Sequence, residues 1–192
     1  MQIKMKNKTI FLLLAGVFLC ACRSDITAKP RGHLRLTYPK PQYKTFSPLQ
    51  PYTFQYNQFA TVKQSKRTNG CDIYYKKMKA TLYLTYLPVK NNLKSLLKDA
   101  EKLLDEHMIK ASAAHDYTYE NPHENIYGII TRLEGKTASN VQFHFTDSLH
   151  YFLQGALYFH SVPKPDSLRP AVDYIAKDIK HLAETLRWRK VK

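Results

Sequence analysis

Three times along this 192-residue chain the apolar residues change their period, and those changes constrain the fold more than any other feature. Before residue 90 they alternate. "YTFQYNQF" sets Tyr52, Phe54 and Tyr56 against Thr53, Gln55 and Asn57, and "KATLYLTYLP" keeps Ala80, Leu82, Leu84 and Tyr86 on one face until Pro88 stops it. A period of two belongs to a half-buried strand. "HLRLTYP" at 33–39, with Leu34 and Leu36 opposite Arg35 and Thr37, reads the same way. Prolines 39, 41, 48 and 51 then predict an extended loop, and "TNGC" at 68–71 a turn. From Leu93 the spacing turns helical: Leu93, Leu96, Leu97, Ala100, Leu104, Met108 and Ala111 fall on one stripe, with Asn91 or Asn92 as the cap. Strand patterns return at 115–120, 125–134, 139–146 and 149–161, with Gly135 and Asp147-Ser148 where hairpins must turn. A second helical stripe, Val172, Ile175, Ala176, Ile179, Leu182, Ala183 and Leu186, ends the chain, with Pro170 expected in its first turn. Strands, helix, strands, helix, with short turns between strands, predict an α+β single domain. Its mostly antiparallel β-sheet is packed by two amphipathic helices.

The N-terminus sets the compartment. Lys4, Lys6 and Lys8 precede an uncharged run of ten residues, Ile10 to Leu19. A bilayer core of roughly 30 Å needs about 20 residues, so the run suits a secretory signal instead. "Leu19-Cys20-Ala21-Cys22" resembles a bacterial lipobox, with the small Ala21 directly before Cys22. That predicts a signal peptide over 1–21, a tether over 22–32 lipidated at Cys22, and a domain over 33–192. The alternatives are an ordinary signal peptide cut nearby and an uncleaved anchor. After processing, Cys71 is the one thiol without lipid, so it is a small buried hydrophobe or a free thiol for an intermolecular bond.

Net charge is +15 and unevenly spread. Residues 22–90 hold thirteen Lys/Arg against Asp25 and Asp72, whereas 91–192 are nearly balanced. Basic excess suggests nucleic acid, but no nucleic-acid-binding motif is present and export removes the chain from nucleic acid. Lys29, Pro30, Arg31, Gly32, Arg35, Lys40 and Lys44 directly follow the lipidated cysteine and form the candidate partner or membrane contact. Arg31 sits between a stiff Pro30 and a permissive Gly32, which suits a guanidinium aimed at phosphate or carboxylate. A solvated basic surface is the competing reading. The aromatics of 40–59 (Tyr43, Phe46, Tyr52, Phe54, Tyr56 and Phe59) fit a protein interface or the core.

Catalytic patterns are sparse. No phosphate-cradling glycine loop and no Gly-x-Ser-x-Gly elbow occur. His123-Glu124 opens like a zincin motif, but Tyr127 stands where the second histidine belongs. His144, Asp147, Ser148 and His150 cluster in sequence, yet triads are spatial and a capped turn explains the group as well. We therefore expect no metal, no cofactor and no enzymatic activity.

Several blocks carry a resemblance: the lipobox, "KPRGHLRLTYP", "PYTFQY", "NNLKSLLKDAEKL", "ASNVQFHFTDSLHYFLQGALYF" and "DSLRPAVDYIAKDIKHLAETLRW". Together they resemble the gliding motility lipoprotein GldD family of the Bacteroidota. Ala28 departs from the family's Pro-Lys-Pro-Arg-Gly, and Gln50 stands where many members carry a cysteine that would partner Cys71. The resemblance implies a non-catalytic, membrane-anchored component or assembly factor of the gliding motility and type IX secretion machinery. Its partners would be cell-envelope motility and secretion proteins, with no nucleic acid. The implied location is the periplasmic face, with the outer and inner membranes both open. A periplasmic lipid- or glycan-binding module is the alternative. The pattern also resembles, more loosely, the PsbP/Mog1-type α/β/α sandwich.

Overall fold

The structure, a computed structural model, describes residues 38–65, 69–160 and 165–189. Among the described residues, ten strands and two helices follow in the order β1 (Tyr43–Phe46), β2 (Tyr52–Asn57), β3 (Thr61–Gln64), β4 (Cys71–Tyr75), β5 (Ala80–Pro88), α1 (Leu93–Met108), β6 (Ala111–Asn121), β7 (Ile126–Gly135), β8 (Ser139–Thr146), β9 (Tyr151–Phe159), α2 (Pro165–Thr185) and β10 (Arg187–Trp188). Short 3-10 turns, Lys76–Met78 and Pro122–Glu124, lead into β5 and β7. Seven strands form one sheet in the order β3-β4-β5-β9-β8-β7-β6, and β1-β2-β10 form a second, small one. All strand pairs are antiparallel. Two meanders, β3-β4-β5 and β6-β7-β8-β9, are sewn together where β9 returns beside β5 over nine residue pairs, Ala80↔Phe159 to Pro88↔Tyr151.

The alternation read from the sequence decides which face each residue takes. Leu82 and Leu84 of β5, Phe143 and Phe145 of β8 and Leu153 and Leu157 of β9 meet Val172, Ile175, Ile179 and Leu182 of α2, and Tyr52 and Phe54 of β2. On the opposite face Phe152 meets Leu96 and Ala100 of α1 and Val89. A buried Val, Leu or Ile side chain contributes about 1.5–3 kcal/mol. Helix α2, with four such side chains (Val172, Ile175, Ile179 and Leu182) and two alanines buried over its length, is therefore held far more firmly than α1, which buries only Leu96 and Ala100. The structure is the expected mostly antiparallel sheet with a helix on either face. A small extra sheet joins α2 on its side.

Several expectations need correction. Residues 40–51 are not all loop: β1 lies between Pro41 and Pro48, in the one stretch there without a proline to break its ladder with β2. Helix α1 ends at Met108, which is 43% exposed, and Ala111 opens β6 instead of continuing the stripe. Because α2 begins at Pro165, Pro170 falls in its second turn, not its first, and the carbonyl of Asp166 has no helical N–H to accept. Asn92 is the N-cap residue, but its side chain accepts the Lys90 N–H at 2.7 Å and caps no helical amide. Asn57, on the supposedly polar side of β2, is fully buried. The hairpin positions stand: Gly135 (φ +99°) and Ser148 (φ +69°) take the left-handed backbone that the turns require. The strand expected at 33–39 lies outside the described residues up to 37, and Tyr38 and Pro39 are not in a strand.

Candidate functional site

Of the residues predicted to contact a partner or membrane, Cys22, Lys29, Pro30, Arg31, Gly32 and Arg35 lie outside the described residues. Lys40 and Lys44 are described and exposed, and the Lys44 ammonium sits 5.0 Å above the Tyr56 ring. Among the aromatics of 40–59, Tyr52 and Phe54 are core, while Phe59 is half exposed.

The histidine–aspartate cluster is a turn. The Asp147 carboxylate accepts the N–H groups of Leu149, His150 and Tyr151 at 3.0, 2.7 and 2.8 Å. The His144 ring is stacked on Phe152, 5.5 Å between centroids, and meets neither Asp147 nor Ser148. Burial pushes the Asp147 carboxyl up, but the three N–H groups and His150 outweigh it and hold it below its ordinary value of 3.8. A carboxylate with a lowered folded pKa contributes stability that is present above its ordinary value and lost as pH falls through the folded one. Asp147→Ala should cost about 1–2 kcal/mol at neutral pH, and the two proteins should converge in acid. Urea unfolding at both pH values measures this.

Cys71 is fully buried, and burial pushes its thiol up to about 12, which removes it as a nucleophile at neutral pH. Its neighbour is the Tyr52 hydroxyl, itself buried without an oxygen or nitrogen partner. His123 lies in the Pro122–Glu124 turn, and Glu124 is spent on Arg187 at 3.0 Å. Among the described residues no three His, Cys, Asp or Glu side chains gather where a metal could sit.

Three arrangements escaped the sequence reading. The first is a buried polar knot. Asp178 on α2 accepts Tyr43 at 2.9 Å, Asn57 at 3.0 Å and Tyr75 at 3.1 Å. Asn57 also donates to Tyr174, whose hydroxyl donates to the Pro39 carbonyl at 3.0 Å. One signal was available: Asp178 is a lone acid directly beside Ile179 on the apolar stripe. The second is the C-terminal "RWR". Arg189 donates to the carbonyls of Pro48 and Gln50, and Trp188 stacks on Tyr151 with ring centres 5.2 Å apart. The third is a groove of about 600 Å³ between α2 and the β6–β7 edge of the sheet. Tyr117, Tyr119 and Ile130 line its sheet wall, and the Arg132–Asp173 ion pair at 2.5 Å crosses it beside Lys177.

An antiparallel sheet between two helices defines a PsbP-like α/β/α sandwich. The chain is similar to the solution structure of cyanobacterial PsbP (CyanoP) from Synechocystis sp. PCC 6803, with a TM-score of 0.50 and 8% identity over 78% of this chain and 94% of that one. Identity this low speaks for the fold alone. The chain belongs to the gliding motility lipoprotein GldD family, whose model matches residues 23–188. No curated protein sequence matches it. Family membership makes it a lipoprotein of the membrane-associated motility machinery, anchored in the cell envelope. Among the described residues no helix is long and apolar enough to cross a membrane.

Proposed function

We propose that this protein is a non-catalytic subunit or assembly factor of the gliding motility and type IX secretion machinery, held at the periplasmic face of a membrane by lipid on Cys22. The observation that supports the reading is the family match, which begins at residue 23, directly after that cysteine. In this reading residues 1–21 are the signal peptide, 22–32 the tether and 33–192 the working domain. The basic stretch from Lys29 to Lys44, with Arg31 between Pro30 and Gly32, meets the envelope partner. Cys22→Ala should abolish incorporation of a clickable fatty acid and leave the protein unprocessed, while Cys20→Ala should mature normally. Label persisting in the Cys22 variant removes the assignment. In-cell crosslinking of the mature protein, followed by mass spectrometry, identifies the partner; recovery of no motility or secretion component overturns the machine reading.

The groove favours a second reading, a periplasmic lipid- or glycan-binding module. Tyrosine faces beside an ion pair suit a sugar's apolar face and hydroxyls. A Tyr117→Ala variant that glides and secretes normally removes it.

A further inference from the structure

One end of the large sheet brings two exposed leucines close to an aromatic pair and two cations. It is the end where β5 stops and β9 begins, since Pro88 pairs with Tyr151. Leu49 there is 93% exposed and Leu149 is 69% exposed. Isolated exposed leucines need no explanation, but these two are held and joined. The Arg189 guanidinium grips the carbonyls on either side of Leu49, those of Pro48 and Gln50, and the Arg189 N–H bonds Pro51 at 2.9 Å. Asp147 fixes the turn that carries Leu149 through the three N–H bonds described above. Tyr151 closes the link between the turns by donating its hydroxyl to the Arg189 carbonyl at 3.0 Å. Trp188, stacked on Tyr151, reaches the next turn through its indole N–H, bonded to the Asn125 carbonyl at 3.1 Å. Val89 donates to His150 at 2.9 Å and places exposed Lys90 on the same end.

We propose that this end is a membrane-contact tip, in which Leu49 and Leu149 enter an anionic bilayer and Trp188, Tyr151, Lys90 and Arg189 sit at its headgroup level. Apolar tips, amphipathic aromatic rings and cations in that order are what a bilayer interface takes up. The interior of a protein interface excludes charge instead. Charge agrees with the occupant. Glu124 is neutralised by Arg187, and Asp147 is turned inward onto amides, so the cations of Lys90 and Arg189 face outward unopposed by either acid. Fixed turns also lower the cost of insertion, because no loop must be ordered first. Geometry permits both attachments at once. Sixteen residues separate Cys22 from Tyr38, a reach of up to about 55 Å when extended, whereas β2, which runs from the tip toward Asn57 beside the chain's entry, is about 20 Å long.

The proposal rests on the anchored reading only for bringing a bilayer near. The chain contains a single tryptophan, at the tip itself. Mature protein purified from envelopes and reconstituted into phosphatidylglycerol–phosphatidylethanolamine vesicles with brominated acyl chains should show Trp188 fluorescence quenched at least twofold relative to unbrominated vesicles. Leu49→Asp combined with Leu149→Asp should restore the fluorescence while leaving the melting curve and vesicle association through the acyl chains unchanged. Both positions are exposed, so folding is not at stake. Equal quenching in the variant and the parent, or none in the parent, overturns the tip. The intact mass of the same preparation reports the acyl group on Cys22 separately, so failure of the anchor and failure of the tip are distinguishable.

Discussion

Asp178→Ala is expected to lower the stability of the domain by about 3–4 kcal/mol, through three donors left without an acceptor at roughly 1–3 kcal/mol each, discounted for relaxation. In a domain of this size that is about 10 °C in Tm, at some 2–4 °C per kcal/mol. Tyr43, Tyr75 and Asn57 aim at the Asp178 carboxylate from β1, β4 and β2, so one residue of α2 ties the small sheet and the large one to the same helix. The pH dependence separates this role from simple packing. Burial raises the Asp178 carboxyl above its ordinary 3.8, and the hydrogen bonds from Asn57, Tyr43 and Tyr75 offset only part of it. The folded state therefore binds the proton more tightly than the unfolded chain. Its contribution is fully present below the ordinary value and lost as pH rises through the raised one. Asp178→Asn removes that slope, so its stability should improve relative to the parent as pH climbs from about 4, and chemical unfolding across that range reads the sign. A parallel pH dependence in both proteins would mean that the carboxyl is not perturbed by the fold.

The knot bears on function through what hangs from it. Tyr174 bonds Asn57 and the Pro39 carbonyl, and its ring lies 5.0 Å from that of Tyr38, the first residue described. Any pull arriving along the chain from Cys22 passes through this point among the described residues. A polar knot bonded to the helix with most of the buried surface is better placed to resist it than β1 alone, which is four residues long and among the described residues pairs only with β2.

The main elements were legible because their patterns are long. Strand β5 alternates over nine residues, and α2 keeps one apolar face through five turns, so no local competitor fits. Strands β1, β3 and β10 were not legible. β3 is four residues with no fully buried position, and β10 is two residues defined only by its partner β2. Nothing within such short segments distinguishes them from loop, since their state is set by the strand they pair with, which for β10 lies more than a hundred positions away. The groove had the same difficulty: its walls come from 117–141 and 173–180, and only the return of α2 across the sheet brings them together. For the tip, the prolines at 48 and 51 marked a loop correctly. That Arg189, some 140 residues on, would fix it was beyond any local pattern. The turn reading of His144 to His150 did come through, because an Asp followed by a residue tolerant of positive φ is a local signal.

Gly155→Ala is expected to cost about 3 kcal/mol, near the upper end for inserting one carbon into a packed interior. Gly155 lies in β9, between β5 and β8, directly opposite Leu84 on one side and Phe143 on the other. The Phe143 ring lies over the space a side chain would occupy: a Cβ at this position would fall 2.2 Å from Phe143 Cζ and 2.5 Å from Cε1. The ring cannot retreat easily, because it is nearly fully buried and packs on Phe145 with centroids 5.0 Å apart. The glycine thus serves close packing and not backbone conformation; its absence from the positive-φ positions agrees. Phe143→Leu alone should cost about 1–2 kcal/mol for the ring volume it leaves empty. Combined with Gly155→Ala, the added methyl occupies part of that volume, so the double variant should lose less than the sum of the singles by at least about 1 kcal/mol. Urea unfolding of the four proteins closes the cycle. Additive losses would mean that the clash is relieved by a shift of the β8–β9 backbone and not by the ring.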